Sequence, residues 1–409
     1  MMTNETAMQP AIADLFQRII HLSDGTTGQN RLVYTPRWVA AQKALIAFAV
    51  AQDLSVSVDD YGTVYMDLPG RATAPAIATG SHMDTVVHGG QFDGLYGVLG
   101  GLQALLTLRD RHGQPHQTLR AISFSEEEGS RFPTTFSGSK HYARLADITG
   151  LTDDSGASFD TARITAVTQL QQLPGVTRQL PALPKSFTEL HIEQGPRLIT
   201  TGRTIGLVSA IVGQRRFTIT VTGTANHAGT TPMNQRHDAL QAAITLMSQL
   251  RVTAATAESQ LTFTVGQLTV SPNTSNVIPG KVVFTVDCRH ADDTVLGAFE
   301  TAMRHLVNQT SAPGITASII RWVHDKPAPL AAPLLAANRM LATQLGFDPV
   351  VMDSGAGHDS EIMSRVTPTT MIFVPSVNGI SHAPNEYTAP EDLAACIKLL
   401  TASLFQQAY

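Results

Sequence analysis

Residues 75–94 read PAIATGSHMDTVVHGGQFDG. The apolar run Pro75–Thr79 has the length and composition of a buried strand, ending at Gly80-Ser81-His82. The next stretch, Gly94–Arg109, reads as a helix with small residues along one side, which predicts close packing against a neighbour. A second apolar run, Leu119–Phe124, ends at Ser125-Glu126-Glu127-Glu128. Strand, polar cluster, helix, strand, polar cluster is the rhythm of an α/β sheet. In open sheets of that class, sites form where strands reach their carboxyl ends. Both polar clusters fall there.

Upstream, helical periodicity covers Ile12–Leu22 and Trp38–Gln52, followed by a hairpin, Ser55–Val58 and Thr63–Leu68, turning at Asp59-Asp60-Tyr61-Gly62. Downstream the style changes near Gly213. Phe217–Thr222 alternates apolar and polar, the signature of a half-exposed strand. A helix at Asp238–Leu250, strands at Gln260–Thr269 and Lys281–Cys288, a helix at Thr294–Val307 and a strand at Thr316–Trp322 complete a β-α-β-β-α-β order. That order predicts a ferredoxin-like α+β unit. From about Ala331 the α/β style resumes: helix Leu334–Leu345, strand Thr370–Val374, helix Pro390–Phe405. The predicted fold is therefore α/β, a mixed-sheet domain built from residues 1–213 and 330–409, with residues 214–329 inserted as a smaller domain.

Bulk properties agree with more than one core. The chain has 409 residues, beyond the roughly 250–300 at which single cores stop growing. A net charge of -5 argues against nucleic acid as a partner. Only Cys288 and Cys396 are present, so neither a disulfide framework nor a cysteine zinc site is available, and a cytoplasmic location is expected. Met1–Pro10 is polar and carries no signal-peptide pattern. No apolar run reaches the roughly 18–20 residues that a membrane span needs.

His82 and Asp93 lie eleven positions apart in glycine-rich loops and can meet at one point. Imidazole and carboxylate together suit zinc or manganese. Asp84 is placed to accept the other ring N–H of His82 and fix its tautomer. Taken alone, the pair equally fits a loop histidine beside a turn aspartate. Glu126, Glu127 and Glu128 repel one another at a strand end, a conflict that either a cation or water resolves. On an extended segment neighbouring side chains point to opposite sides, so one glutamate can bind metal while the next faces substrate. His191, in Thr188-Glu189-Leu190-His191-Ile192-Glu193-Gln194-Gly195, and His382, in the turn-rich Gly379–Glu386, are further candidates; each alone also fits a surface or core histidine.

Taken together, the motifs resemble a known family. Gly80–Thr85, Glu126–Phe132 (EEEGSRF), His191–Gly195, Asn226–Met233 and Asp287-Cys288-Arg289 are similar to those of the metallopeptidase-related amidohydrolases. Its members include N-carbamoyl-L-amino-acid hydrolases, β-ureidopropionase, ureidoglycolate amidohydrolase and allantoate amidohydrolase. Glu128–Pro133 with Gly138-Ser139-Lys140, Ile211–Arg216, Asp287–His290 and Ser354–Asp359 look most like the bacterial allantoate-cleaving branch. The resemblance implies a metallopeptidase-like catalytic domain whose insertion serves as lid and dimerisation domain. It implies two divalent metal ions per subunit, manganese or zinc. Asp93 would bridge them, and His82, Glu128, His191 and His382 would fill the other positions. Glu127 would be the general base. His227 would donate to the oxyanion across the interface of a homodimer. Asn276 matches the family's substrate-binding asparagine.

Further substrate contacts are read from the residues themselves. Arg289, at a strand end, can grip a carboxylate with two parallel hydrogen bonds. Gln194 follows His191 and can touch a ureido group. Arg216 lies on the strand face opposite Phe217, Ile219 and Val221, where it can serve a second ureido arm or be an ordinary surface residue. The implied reaction is hydrolysis of a ureido C–N bond on a small carboxylate, with allantoate as substrate or, alternatively, an N-carbamoyl-L-amino acid.

Overall fold

The computed structural model describes residues 8–22, 27–257 and 260–409. Residues 1–7, most of the polar N-terminal stretch, lie outside the described residues. The chain divides into two compact units: Met1–Ser209 with Leu330–Tyr409, and Ala210–Pro329.

The centre of the first unit is four parallel strands, adjacent in the order Leu119–Phe124, Ile77–His82, Ser186–Ile192, Thr369–Val374. All four are buried along their whole length. Strands covered on both faces carry near-continuous apolar sequence rather than alternation, as Leu119–Phe124 and Thr369–Val374 do. Antiparallel neighbours extend the sheet on either side: Val64–Leu68 beyond Leu119–Phe124, and Gly206–Ile211 beyond Thr369–Val374. The four parallel strands thus deliver their carboxyl ends to one edge. The segments that leave that edge begin at Met83, Ser125, Glu193 and Pro375.

One helix sets the depth of this core. Leu95–His112 lies against Ile77–His82 and Ser186–Ile192. A Cβ at Gly97 would sit 2.1 Å from the Leu190 carbonyl oxygen, and one at Gly101 would sit 2.9 Å from Thr79 Cγ2. These are the small residues that the sequence placed on one side. Glycine inside a helix costs roughly 0.5–1 kcal/mol relative to alanine, and here it permits direct contact between helix and strand backbone.

Several elements differ from the sequence reading. The strand continues through Gly80, Ser81 and His82 because Gly80 is pressed against Ile122, where a Cβ would lie 2.1 Å from its carbonyl oxygen. Strands Gly206–Ile211 and Val350–Ser354 and helix Phe159–Gln171 were not read from periodicity. That helix is rich in Thr, Ile and Val, weak helix formers. Its start is fixed by the Ser158 side chain, which accepts from the Thr161 N–H.

The second unit is a four-stranded antiparallel sheet, in the order Thr262–Ser271, Lys281–His290, Gly213–Thr222, Thr316–Asp325. Helices Ala239–Ala257 and Asp293–Thr310 complete a β-α-β-β-α-β order. Phe217, Ile219, Val221, Val282, Phe284, Val286 and Cys288 form its core with those helices. Among the described residues no helix is long and apolar enough to cross a membrane.

Replacing Gly97 by Val is expected to lower folding stability by at least about 2 kcal/mol, since backbone rather than a flexible side chain must give way. Gly355→Ala, where a Cβ meets nothing within 4 Å, should stay within about 0.5 kcal/mol of the parent. Denaturant unfolding of the three proteins measures both.

Candidate metal centre

Asp93 stands at the middle of a group of side chains, buried apart from His382, brought from all four parallel strand ends. Its Oδ1 lies 3.2 Å from His191 Nε2 and 3.6 Å from His82 Nε2. Its Oδ2 lies 3.1 Å from His382 Nε2, which is itself 3.5 Å from Glu128 Oε2. The two oxygens therefore face two donor sets: His82, Asp93 and His191, and Asp93, Glu128 and His382, each with ligand atoms within 4.8 Å of one another. Gly94, at φ 63, makes this possible, because a Cβ there would collide with the His82 ring at 2.5 Å.

The ring nitrogens facing away from the cluster are held by backbone. His82 Nδ1 is 3.1 Å from the Asp84 carbonyl oxygen, and His191 Nδ1 is 2.9 Å from the Ile192 carbonyl oxygen. A carbonyl only accepts, so this network assigns the ring proton to Nδ1 in both histidines and leaves an Nε2 lone pair turned inward. The Gly94 N–H, 3.2 Å from His191 Nε2, is consistent with that lone pair. The sequence reading gave the His82 anchor to the Asp84 carboxylate. The backbone carbonyl is the nearer partner of Nδ1, with Asp84 Oδ1 at 3.6 Å, and the carboxylate also accepts the N–H groups of Glu127 at 3.0 Å and Glu128 at 3.1 Å.

That turn changes the expectation for the glutamates. Residues 126–129 are not extended: Glu126 has φ 54 and Gly129 has φ 66. Glu127 and Glu128 consequently both face the cluster, forming a donor set with His82, instead of pointing to opposite sides. Glu127 Oε2 is 3.8 Å from His82 Nε2. Glu126 is buried, and neither of its carboxylate oxygens has a hydrogen-bond partner.

The electrostatics describe an unmet need for positive charge. Burial raises the Glu127 carboxyl well above the usual range. Burial, then repulsion from Asp93, pushes Glu128 up to about 7. Burial also works to raise Asp93, but the surrounding histidines hold it well below a normal carboxylate. His382 is pushed up to about 9, chiefly by its hydrogen bond to Asp93. Glu128 Oε1 is buried with no partner. Three imidazoles and two carboxylates around an orphaned oxygen fit a divalent cation, which would keep these carboxylates ionised.

Gln194, at φ 57, joins the cluster: its Nε2 donates to Asp93 Oδ2 at 2.9 Å, and its Oε1 is buried without a partner. Sequence reasoning gave no role to Glu189, His358 or Glu386. Glu189 accepts from the Ser81 hydroxyl and the Ser360 N–H, both at 2.8 Å, and forms a donor group with His191 and His358. Nothing in a lone buried glutamate on a strand signals this in advance.

The remaining candidates belong to the second unit. His227 is exposed, and its Nδ1 accepts from the N–H groups of Gly229 at 3.0 Å and Thr230 at 3.2 Å. Asn276 is its neighbour on a short ribbon, where Val277 pairs with His227. Arg216 Nε donates to Asp287 Oδ2 at 2.8 Å and Arg289 Nε to Asp287 Oδ1 at 3.1 Å. Arg289, read as gripping a carboxylate with two parallel bonds, thus already has one such partner within the chain.

Known proteins give the cluster a context. The profile of peptidase family M20/M25/M40 matches residues 78–406. Allantoate amidohydrolase of Escherichia coli (strain K12) is 40% identical over 395 residues, covering 95% of each chain. N-carbamoyl-L-amino-acid amidohydrolase of Paenarthrobacter aurescens is 35% identical over 397 residues, covering 96% of each. Among solved structures, an amidase of the hydantoinase/carbamoylase family from Burkholderia multivorans superposes with a TM-score of 0.90 at 34% identity, covering 97% of both chains.

Chelation is expected to lower the melting temperature and a divalent cation to restore it, since binding at 100 times Kd stabilises by about 2.7 kcal/mol. Asp93→Ala, which removes the oxygen pair common to both donor sets, should abolish both the metal content and the thermal response. Elemental analysis and differential scanning calorimetry read the two effects.

Proposed function

Because the chain belongs to peptidase family M20/M25/M40, we propose that it hydrolyses allantoate to ureidoglycine, ammonia and carbon dioxide. The observation that carries hydrolysis is Asp93 shared between two donor sets with Glu127 beside them. Allantoate rather than an N-carbamoyl-L-amino acid is supported by the higher identity to the allantoate enzyme, 40% against 35%. The N-carbamoyl reading would use the same machinery and differ in what surrounds the far end of the substrate.

Two divalent ions, manganese or zinc, would be held by His82, Asp93 and His191 and by Asp93, Glu128 and His382. Bound there, such ions polarise a carbonyl and lower the pKa of water toward neutrality. Glu127, beside the donor sets, takes the proton of the attacking water and hands it to the departing nitrogen. Water adds to the ureido carbonyl to give a tetrahedral oxyanion. Its collapse breaks the first C–N bond and releases ammonia, and the carbamate left on the other nitrogen loses carbon dioxide, breaking the second C–N bond and leaving ureidoglycine. One water balances the reaction; the ureido carbon leaves as carbon dioxide and its nitrogen as ammonia.

His227 suits an oxyanion donor because of its tautomer. With Nδ1 accepting two backbone N–H groups, the ring proton sits on Nε2, an outward N–H donor. One such donor is worth about 2.7–4 kcal/mol. Arg289 and Asn276 would hold the carboxylate end, with Gln194 and Arg216 serving the ureido groups. A homodimer with His227 donated across the subunit interface belongs to the same reading.

Ammonia release from allantoate should exceed that from N-carbamoyl-L-amino acids; the reverse preference selects the second substrate class. Glu127→Gln should keep its metal and lose at least about 100-fold in turnover, and unchanged turnover removes Glu127 as the base. Arg289→Lys is expected to raise KM far more than a surface exchange does. Mixing inactive Glu127→Gln and His227→Ala subunits should regain activity, because the mixed dimer then assembles one intact site. No recovery on mixing places His227 in its own subunit's site or outside it.

A further inference from the structure

The two donor sets around Asp93 are not equally anchored. His82 and His191 are each fixed by a backbone carbonyl on Nδ1. His382 is different: its side chain is 48% exposed, its φ is 55, and all its contacts with the cluster go through Nε2. It sits on the segment between Val374 and Pro390, in a turn whose conformation its own ring does not determine.

Glu386 supplies what that turn lacks. Its Oε1 accepts from the N–H groups of Phe92 at 2.9 Å and Asp93 at 3.1 Å. Its Oε2 lies 2.9 Å from the Ser381 hydroxyl, which is also 3.1 Å from Asp93 Oδ2. One buried carboxylate therefore grips the turn that aims Asp93 and, four residues from His382, the residue that precedes it. Its partners on the Asp93 turn are almost 300 positions away. The space for it is made by Gly90, where a Cβ would lie 2.0 Å from the Glu386 carboxyl carbon. Tyr387 adds an edge-to-face contact with Phe92, with ring centroids 6.3 Å apart.

We propose that Glu386 is the positioning residue of the more exposed donor set. By tying the Asp93 turn to the His382 turn, it sets the affinity of the cation held by Asp93, Glu128 and His382. The other set shares Asp93 but keeps two histidines with their own backbone anchors, and so depends on Glu386 less. This rests on the two-ion reading given above. Residues that orient ligands in this way typically change metal affinity 10–100-fold when removed.

The test is calorimetric titration of metal-free, full-length protein with manganese or zinc, comparing the parent with Glu386→Ala, Glu386→Gln and Ser381→Ala. The parent should take up two ions per chain. Glu386→Ala should weaken one of the two steps about 10–100-fold and the other, which shares only Asp93 with it, by clearly less. Ser381→Ala should weaken the same step by less. Glu386→Gln, which retains an acceptor for the Phe92 and Asp93 N–H groups, should recover most of the affinity. The melting temperature of each metal-free protein separates positioning from bulk stability. If both steps weaken together in proportion to lost stability, or if neither weakens, Glu386 has no such role. Uptake of a single ion by the parent overturns the two-ion reading itself, and this assignment with it. Should Glu386→Ala not fold, Ser381→Ala decides by the same comparison.

Discussion

Four parallel strands ending on one edge of a buried sheet are the constraint on which the rest depends. Strands covered on both faces carry charge along their length only where it is partnered, as Arg120 is by Asp67 and Glu189 by the Ser81 hydroxyl and the Ser360 N–H. Polar side chains are therefore concentrated at the strand ends. His82 ends one strand, Glu127 and Glu128 follow the second, His191 lies one residue from the end of the third, and His382 lies in the loop after the fourth. Asp93 enters from the turn that opens the helix Leu95–His112, which the glycines seat directly on two of those strands. Remove the close helix–sheet contact and the central carboxylate loses its fixed height above the sheet edge.

Burial then decides the protonation chemistry. Four of the five ligand-type groups have little access to solvent and His382 is half exposed; crowded together, the carboxylates not sufficiently compensated rise in pKa. Tautomers sort the histidines into different jobs. Backbone carbonyls on Nδ1 turn the lone pairs of His82 and His191 inward, which suits a cation. Backbone N–H groups on Nδ1 do the opposite to His227 and turn an N–H outward, which suits a developing negative charge. The same side chain becomes an acceptor or a donor according to which main-chain group it meets.

Much of this was legible in the sequence. Continuous apolar runs gave three of the four central strands, period-two alternation gave Phe217–Thr222 within Gly213–Thr222, and the motif set gave the residues that gather around Asp93. What escaped depends on local backbone. The positive φ of Glu126 turns two neighbouring glutamates to the same side, whereas an extended chain would have split them. The Asp84 carboxylate, expected to serve the His82 ring alone, also holds that turn. Strand Gly206–Ile211, short and bounded by Thr204 and Gly213, offers little periodicity to read. Glu386 was quoted in its motif but given no role, since a glutamate four positions past a histidine carries no signal until Gly90 and Phe92 are seen beside it.

Alternation in the inserted unit gathers polar side chains on one face of its sheet. Gln214 and Arg216 share one face of Gly213–Thr222, and antiparallel register sets Arg216 opposite Asp287 and Gln214 opposite Arg289. All four side chains thus lie on the face away from the helices. Asp287 accepts from Gln214, Arg216 and Arg289, which lowers its own pKa and orders the two guanidiniums. Two guanidiniums held by one anion leave a patch of net positive charge, each guanidinium tied in place by Asp287. A ligand carboxylate meeting that patch would gain charge-assisted hydrogen bonds without having to immobilise long flexible side chains, which is the energetic advantage of preorganisation.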